Sequence, residues 1–259
     1  MKNKAIHVVG NKFCAISNGA NIISYSELIE KTINNELLQY DIFFEQGISE
    51  DIVAEYKKLF CQPVDKKIAS IYSYFDEDSR CDNKLTHKHF SYNTLISDPK
   101  KISDEKYSSI LIIDERCAEM SDHVTGKHIQ GMVLMEAARQ MTIATLEKYF
   151  IKGSQNHAVK FVMNEFQSKF YNYAFPMGLV LCLKIISNSG MTNNNRAFTI
   201  SIEIYQNEKK IAEIFRKVSV YDSKFIKYKE NSALQDYIKS CIKTENNLRT
   251  FESVYEKAA

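Results

Sequence analysis

Apolar positions change their period along this chain of 259 residues, and the changes mark out its elements. Residues 5–16 and 21–24 alternate as two short strands around Asn18-Gly19, a favoured turn dipeptide, and predict a hairpin. Ser26 suits the N-cap of a helix to about Asn35, with Glu27 and Glu30 in its first turns. Residues 40–44 are strand-like. Ser49, followed by Glu50 and Asp51, starts a second helix that runs to Phe60 and stops before Pro63. Residues 1–84 thus predict a small α+β segment.

Beyond it, residues 87–96 and 107–114 are strand-like, separated by the turn-rich SDPKKISDE. A helix is predicted from Gly131 to about Phe150. Strands follow over 157–173, 178–187, 196–206 and 209–221, with turns at Asn188-Ser189-Gly190 and Gln206-Asn207. The tail, about 232–255, has the pattern of a charged amphipathic helix docked on the surface. Between Met132 and Leu146 apolar residues cover nearly the whole circumference of the central helix. A helix apolar all round must be buried on most sides, so the strands are expected to wrap it as an antiparallel sheet.

Composition narrows the function. Apolar residues make up 44% and charged residues 25%, an ordinary soluble balance. Lysine plus arginine number 34 against 32 acidic residues, and a net charge of +2 argues against a dedicated nucleic-acid binder. The six cysteines are scattered without metal-ligand spacing, so no metal site is expected. Apolar runs fall short of the roughly 20 residues a membrane helix needs, and no signal peptide is evident. A cytoplasmic protein with free thiols is the expectation.

Three polar residues interrupt the buried helix: Glu136, Arg139 and Gln140. Their i, i+3, i+4 spacing places them on one face. Burial of a carboxylate raises its pKa toward a range useful for acid/base work, whereas a plain Glu136–Arg139 ion pair would be structural. Upstream, Asp122, His123 and His128 flank Gly126 and Gly131. A helix beginning at Gly131 presents free N–H groups to a thioester carbonyl or a phosphate, with histidine near enough to act as base.

The segment DHVTGKHIQGMVLMEAARQM, from Asp122 to Met141, resembles the motif of the A-factor synthase hotdog family, close to DHxxDHVPGMxLLEAARQ. Asp122-His123, His128, Gly131-Met132, Leu134 and Glu136 to Gln140 carry the likeness, and THKHFSYNTLISDP resembles the opening of such a domain. Lys127 and Gln130 replace an acid and a proline of the typical turn, there is one extra residue between the histidines, and the motif occurs once where familiar members have two repeats.

The resemblance implies an α+β hotdog fold over residues 85–222, with an N-terminal α+β extension (1–84, or a degenerate hotdog half) and a C-terminal helical tail (223–259). It implies an acyltransferase moving a β-ketoacyl group from acyl carrier protein or coenzyme A to a small hydroxylated acceptor, with no bound cofactor. Glu136, His128 and His123 would be catalytic; Gly131, Met132, Arg139, Gln140 and Asp122 would contact substrate. A 3-hydroxyacyl-thioester dehydratase, a thioesterase and a non-catalytic acyl-binding module are the alternatives. The open edge of a single hotdog sheet predicts a homodimer.

Overall fold

The alternation in the second half of the chain builds a six-stranded antiparallel sheet. The structure, a computed structural model, describes residues 4–37, 40–60, 70–122, 126–151, 159–192 and 195–245. Strands β5 (Lys100–Lys101), β6 (Lys106–Ile110), β7 (Val159–Phe170), β8 (Val180–Thr192), β9 (Asn195–Gln206) and β10 (Lys209–Asp222) lie in the order β5-β6-β8-β9-β10-β7. Phe198, Ile200, Ile202 and Ile204 of β9 are buried, as are Leu181, Leu183 and Ile185 of β8. Period-two alternation puts these residues on one face. That face packs on helix α4 (Gly131–Tyr149), which is buried almost without interruption from Ala137 to Glu147. A helix wrapped by an antiparallel sheet is the hotdog arrangement expected from the sequence.

The turn at Gln206 is as predicted: Asn207 (φ 47°) and Glu208 (φ 65°) form a tight reversal with two left-handed residues. The other reversal comes later than expected. β8 continues past Asn188-Ser189-Gly190 to Thr192, because the register shifts between Ser189 and Thr192 absorb the glycine as an irregularity instead of a turn. Residues 87–96 do not form the predicted strand. The Asn83 amide donates to the carbonyls of Lys88 and His89, holding a loop, and Ser91–Asn93 makes a single 3-10 turn.

The N-terminal segment departs further from expectation. Strands β1 (Lys4–Val9), β2 (Ile22–Ser24), β3 (Tyr40–Phe44) and β4 (Ser70–Ser73) form a parallel sheet in the order β2-β1-β3-β4. Helices α1 (Tyr25–Ile33) and α2 (Glu50–Phe60) supply two of the connections. There is no β1–β2 hairpin. A 3-10 helix over Asn11–Ile16 carries the chain back, and the Asn18 side chain accepts from the N–H groups of Ala20, Asn21 and Ile22, so β2 enters alongside β1 in the same direction. A parallel sheet of this kind is not a second hotdog half. The N-cap of α1 is Ser24, in a capping box with Glu27, two residues before the expected Ser26.

One buried side chain splices the two sheets. The Gln46 amide donates to the Leu111 carbonyl at 2.7 Å and accepts from the Ile113 N–H at 2.7 Å, and the next N–H, of Gly47, donates to the Ile113 carbonyl at 2.9 Å. The backbones come so close here that a Cβ on Gly10 would stand 2.5 Å from the Gly47 carbonyl oxygen. At the other end, α5 (Ser223–Glu245) starts earlier than expected because the Asp222 carboxylate accepts from the Lys224 N–H. Its side chains from 227 to 240 are all exposed, so over these residues it is not the docked helix predicted.

Candidate functional site

The N-terminus of α4 is positioned by its preceding turn. The Ile129 N–H donates to the Ala174 carbonyl at 2.7 Å, and buried Ile129 pins this turn to the chain that follows β7. Gln130 is the N-cap residue but makes no side-chain capping bond, which leaves the first N–H groups of a 19-residue helix without a side-chain partner at the cap. Two cavities flank this helix end.

The first, of about 640 Å³, holds Glu136. Its Oε2 accepts from Arg139 Nε at 2.8 Å, and its Oε1 accepts from Arg139 Nη2 at 2.8 Å, from Gln140 Nε2 at 3.0 Å and from Lys88 Nζ at 2.8 Å. Lys88 also bridges to Glu119 at 3.0 Å. Burial alone would raise the carboxyl pKa, but the bonds from Arg139, Lys88 and Gln140 and the Arg139 charge outweigh it and hold the group down at about 2. The expectation that burial lifts Glu136 into the acid/base range is therefore overturned. The i, i+3, i+4 face assembles as the sequence suggested, yet its product is a carboxylate that is ionised at neutral pH.

Gln140 does not line the cavity. It is fully buried, with its oxygen accepting from the Leu95 N–H at 2.7 Å and its nitrogen donating to the Asn93 carbonyl at 2.9 Å. It thus braces Glu136 from behind. Arg139 lies on the wall but is committed to Glu136 and, at 3.3 Å, to the Thr86 carbonyl. Met132, exposed at 62%, and Asp122 lie on the same wall. Met135, Met163 and Phe166 give the cavity an apolar side.

The second cavity, of about 580 Å³, holds His128 and Gly131. His128 packs on the ring of Tyr173, with centroids 5.0 Å apart. Gly131 is needed for close approach: a Cβ there would meet the Phe170 ring at 3.0 Å. Within one chain, then, the structure places Glu136, Met132, Arg139 and Asp122 on one cavity and His128 and Gly131 on the other. His123 lies outside the described residues.

Sequence reasoning missed Lys88, Glu119 and Arg216. Lys88 sits in the loop THKHFSYN, whose left-handed His87 (φ 55°) is held by Glu147, its Nε2 2.6 Å from the carboxylate. Arg216 carried a visible signal. On the inward face of β10 it interrupts the apolar series Ala212, Ile214, Val218, Val220.

No curated protein matches the chain. Among solved structures it is similar to a mutant thioesterase from Pseudomonas aeruginosa, with 13% identity over 49% of this chain and 81% of that one, at a TM-score of 0.37. A thioesterase from Haemophilus influenzae is 15% identical over 52% of this chain and 83% of that one, at a TM-score of 0.35. An uncharacterised protein from Pyrococcus horikoshii is 17% identical over 48% and 82%, at a TM-score of 0.34. The A-factor biosynthesis hotdog domain matches residues 76–222, beginning nine residues before the expected boundary at 85 and ending with β10. More than half of the chain is covered, and the chain belongs to this hotdog family.

Proposed function

We propose that this protein is an acyltransferase that moves a β-ketoacyl group from acyl carrier protein or coenzyme A to a small hydroxylated acceptor, in signal or secondary-metabolite synthesis. As a member of the A-factor biosynthesis family it is an acyl-thioester hotdog protein. The observation that carries the finer reading is the two-sided cavity beside α4. Met132, Met135, Met163 and Phe166 offer an apolar wall to an acyl chain, and Arg216 offers positive charge to a polar partner.

In this reaction the acceptor hydroxyl oxygen attacks the thioester carbonyl carbon. A C–O bond forms, the C–S bond breaks, and the sulfur leaves as the thiol after taking up the hydroxyl proton. The N–H groups at the start of α4 suit the developing oxyanion. His128, on the turn before them, is the candidate base, with His123 as the second. Glu136 is an orienting charge that fixes Arg139 and Lys88. An ionised carboxylate with a pKa near 2 is a poor proton donor, which weighs against dehydration, where a carboxylic acid must protonate the leaving hydroxyl.

β7 pairs on one side only, with β10, and forms an edge of the sheet among the described residues. We take a homodimer across this edge as part of the proposal. Met163 and Phe166 lie on β7, so a second copy there would wall the acyl cavity at the subunit boundary.

The test is to incubate purified protein with a β-ketoacyl thioester, with and without a glycerol-type phosphate. Thiol release and an acyl ester are expected only when the acceptor is added. Release without acceptor would indicate hydrolysis. Binding without release in either case would favour a non-catalytic acyl-binding module, the second reading, which the saturated hydrogen bonding of Glu136 also fits.

A further inference from the structure

Arg216 occupies a position where the sheet has every reason to place an aliphatic residue. Its inward neighbours on β10, Ile214 and Val218, are buried, and Arg216 itself is only 2% exposed. A buried guanidinium is costly unless its charge and donors are met. The protein meets them in part. Nη2 donates to the Met135 carbonyl of α4 at 2.8 Å, and the guanidinium carbon lies 5.0 Å from the centre of the Phe166 ring. Nε is buried and finds no partner among the described residues.

No ion pair joins Arg216 to a carboxylate among the described residues, although the Glu136 charge acts in favour of the cation. The nearest acid on the same cavity wall, Glu136, has both oxygens engaged by Arg139, with Gln140 and Lys88 also bonded to Oε1. Arg139 instead adds a second positive charge nearby. Burial first, and the Arg139 charge second, bring the Arg216 pKa down to about 10 against the opposing pull of the Glu136 charge, which still leaves it protonated at neutral pH. The side chain is therefore a cation with an unmet donor, on the wall of a cavity whose other lining includes Met132, Met135 and Met163. Methionines are adaptable and can shift to admit a ligand atom beside the guanidinium.

We propose that Arg216 is the anion receptor of the Glu136 cavity, and that the molecule bound there carries a phosphate or carboxylate group whose oxygen takes the open Arg216 donor. This deepens the acyl-transfer reading, on which it rests for the identity of the site, by assigning an anionic group to one of the two substrates. It also moves the role of anion contact from Arg139, which is already bound by Glu136, to Arg216. The guanidinium fork matches oxyanions and gives the strongest protein hydrogen bonds to them.

The experiment measures binding without turnover. The full-length protein is titrated by calorimetry with inorganic phosphate and, separately, with acetate, at constant ionic strength set by chloride. Saturable binding of one of them is expected, phosphate pointing to a phosphorylated substrate and acetate to a carboxylated one. Arg216→Lys, which keeps the charge but loses the fork, and Arg216→Met, which loses both, should weaken that binding by about ten- to a hundredfold. Arg139→Lys should weaken it far less. Saturable binding that survives in Arg216→Lys, or no binding of either ion to the natural protein, would overturn the proposal whether or not Arg216→Met folds. Arg216-dependent binding in a protein that transfers no acyl group would leave the receptor standing and remove the acyl-transfer reading. Transfer with an acceptor KM unchanged by Arg216→Lys would do the reverse.

Discussion

Replacing Glu136 with alanine is expected to destabilise the fold by about 2–3 kcal/mol, less than the loss of one partner from a fully buried ion pair, because the Glu136, Arg139 and Lys88 side chains stay partly exposed. Lys88 keeps Glu119, but Arg139 loses both of its carboxylate bonds and retains only the long contact to the Thr86 carbonyl. Gln140 loses its bond to Glu136 and keeps its two backbone partners. Urea unfolding at neutral pH reads the loss directly, and a variant within about 1 kcal/mol of the natural protein would contradict a partly buried hub, since exposed pairs contribute no more than that.

The same carboxylate sets a pH dependence of definite sign. Its folded pKa of about 2 lies below the unfolded value of about 4.3, so its ionised form stabilises the fold at any pH above the unfolded value. That contribution, about 3 kcal/mol by linkage, fades as pH falls from about 4.3 toward 2. Stability measured over this window should fall more steeply in the natural protein than in Glu136→Gln. Parallel curves would place the acid sensitivity elsewhere.

The second large effect is expected at Gln46, outside the hotdog domain altogether. Methionine there has similar length but no amide, and it would leave the Leu111 carbonyl and the Ile113 N–H without their partner. Each buried orphan costs about 1–3 kcal/mol. Both groups lie in the chain that leads from β6 toward the cavity-lining residues Ala118 and Glu119. A lowered urea midpoint is expected for Gln46→Met, and an unchanged one would mean that the N-terminal sheet does not brace the hotdog domain through this splice.

How much of this was legible in the sequence depends on how local its cause was. β9 declares itself through regular alternation, β8 and β10 through a looser one, and α4 through its apolar circumference, because burial on a sheet face or inside a wrapped sheet leaves a periodic trace. The parallel sheet at the N-terminus leaves little. β2 has three residues and β4 four, and the Asn18-Gly19 dipeptide that suggests a hairpin serves instead as an Asx turn feeding a parallel strand. The polar face of α4 was visible too, but its electrostatics were not. Lys88 arrives from a loop 48 positions before Glu136, and without it and the doubled Arg139 contact the carboxylate would have been expected to titrate high. Arg216 could have been found as the charged break in an apolar alternation. The division of His128 and Glu136 between two cavities could not, since it depends on which side of the helix end each chain segment passes.

In the proposed reaction the acyl thioester lies in the cavity between α4 and the edge of the sheet. The most direct test is an experimental structure of the protein with a β-ketoacyl pantetheine analogue in which an amide replaces the thioester. The acyl chain is expected against Met132, Met163 and Phe166, with its carbonyl group at the N-terminal turn of α4. An analogue seated instead only in the cavity of His128 and Tyr173, with the Glu136 side empty, would contradict it.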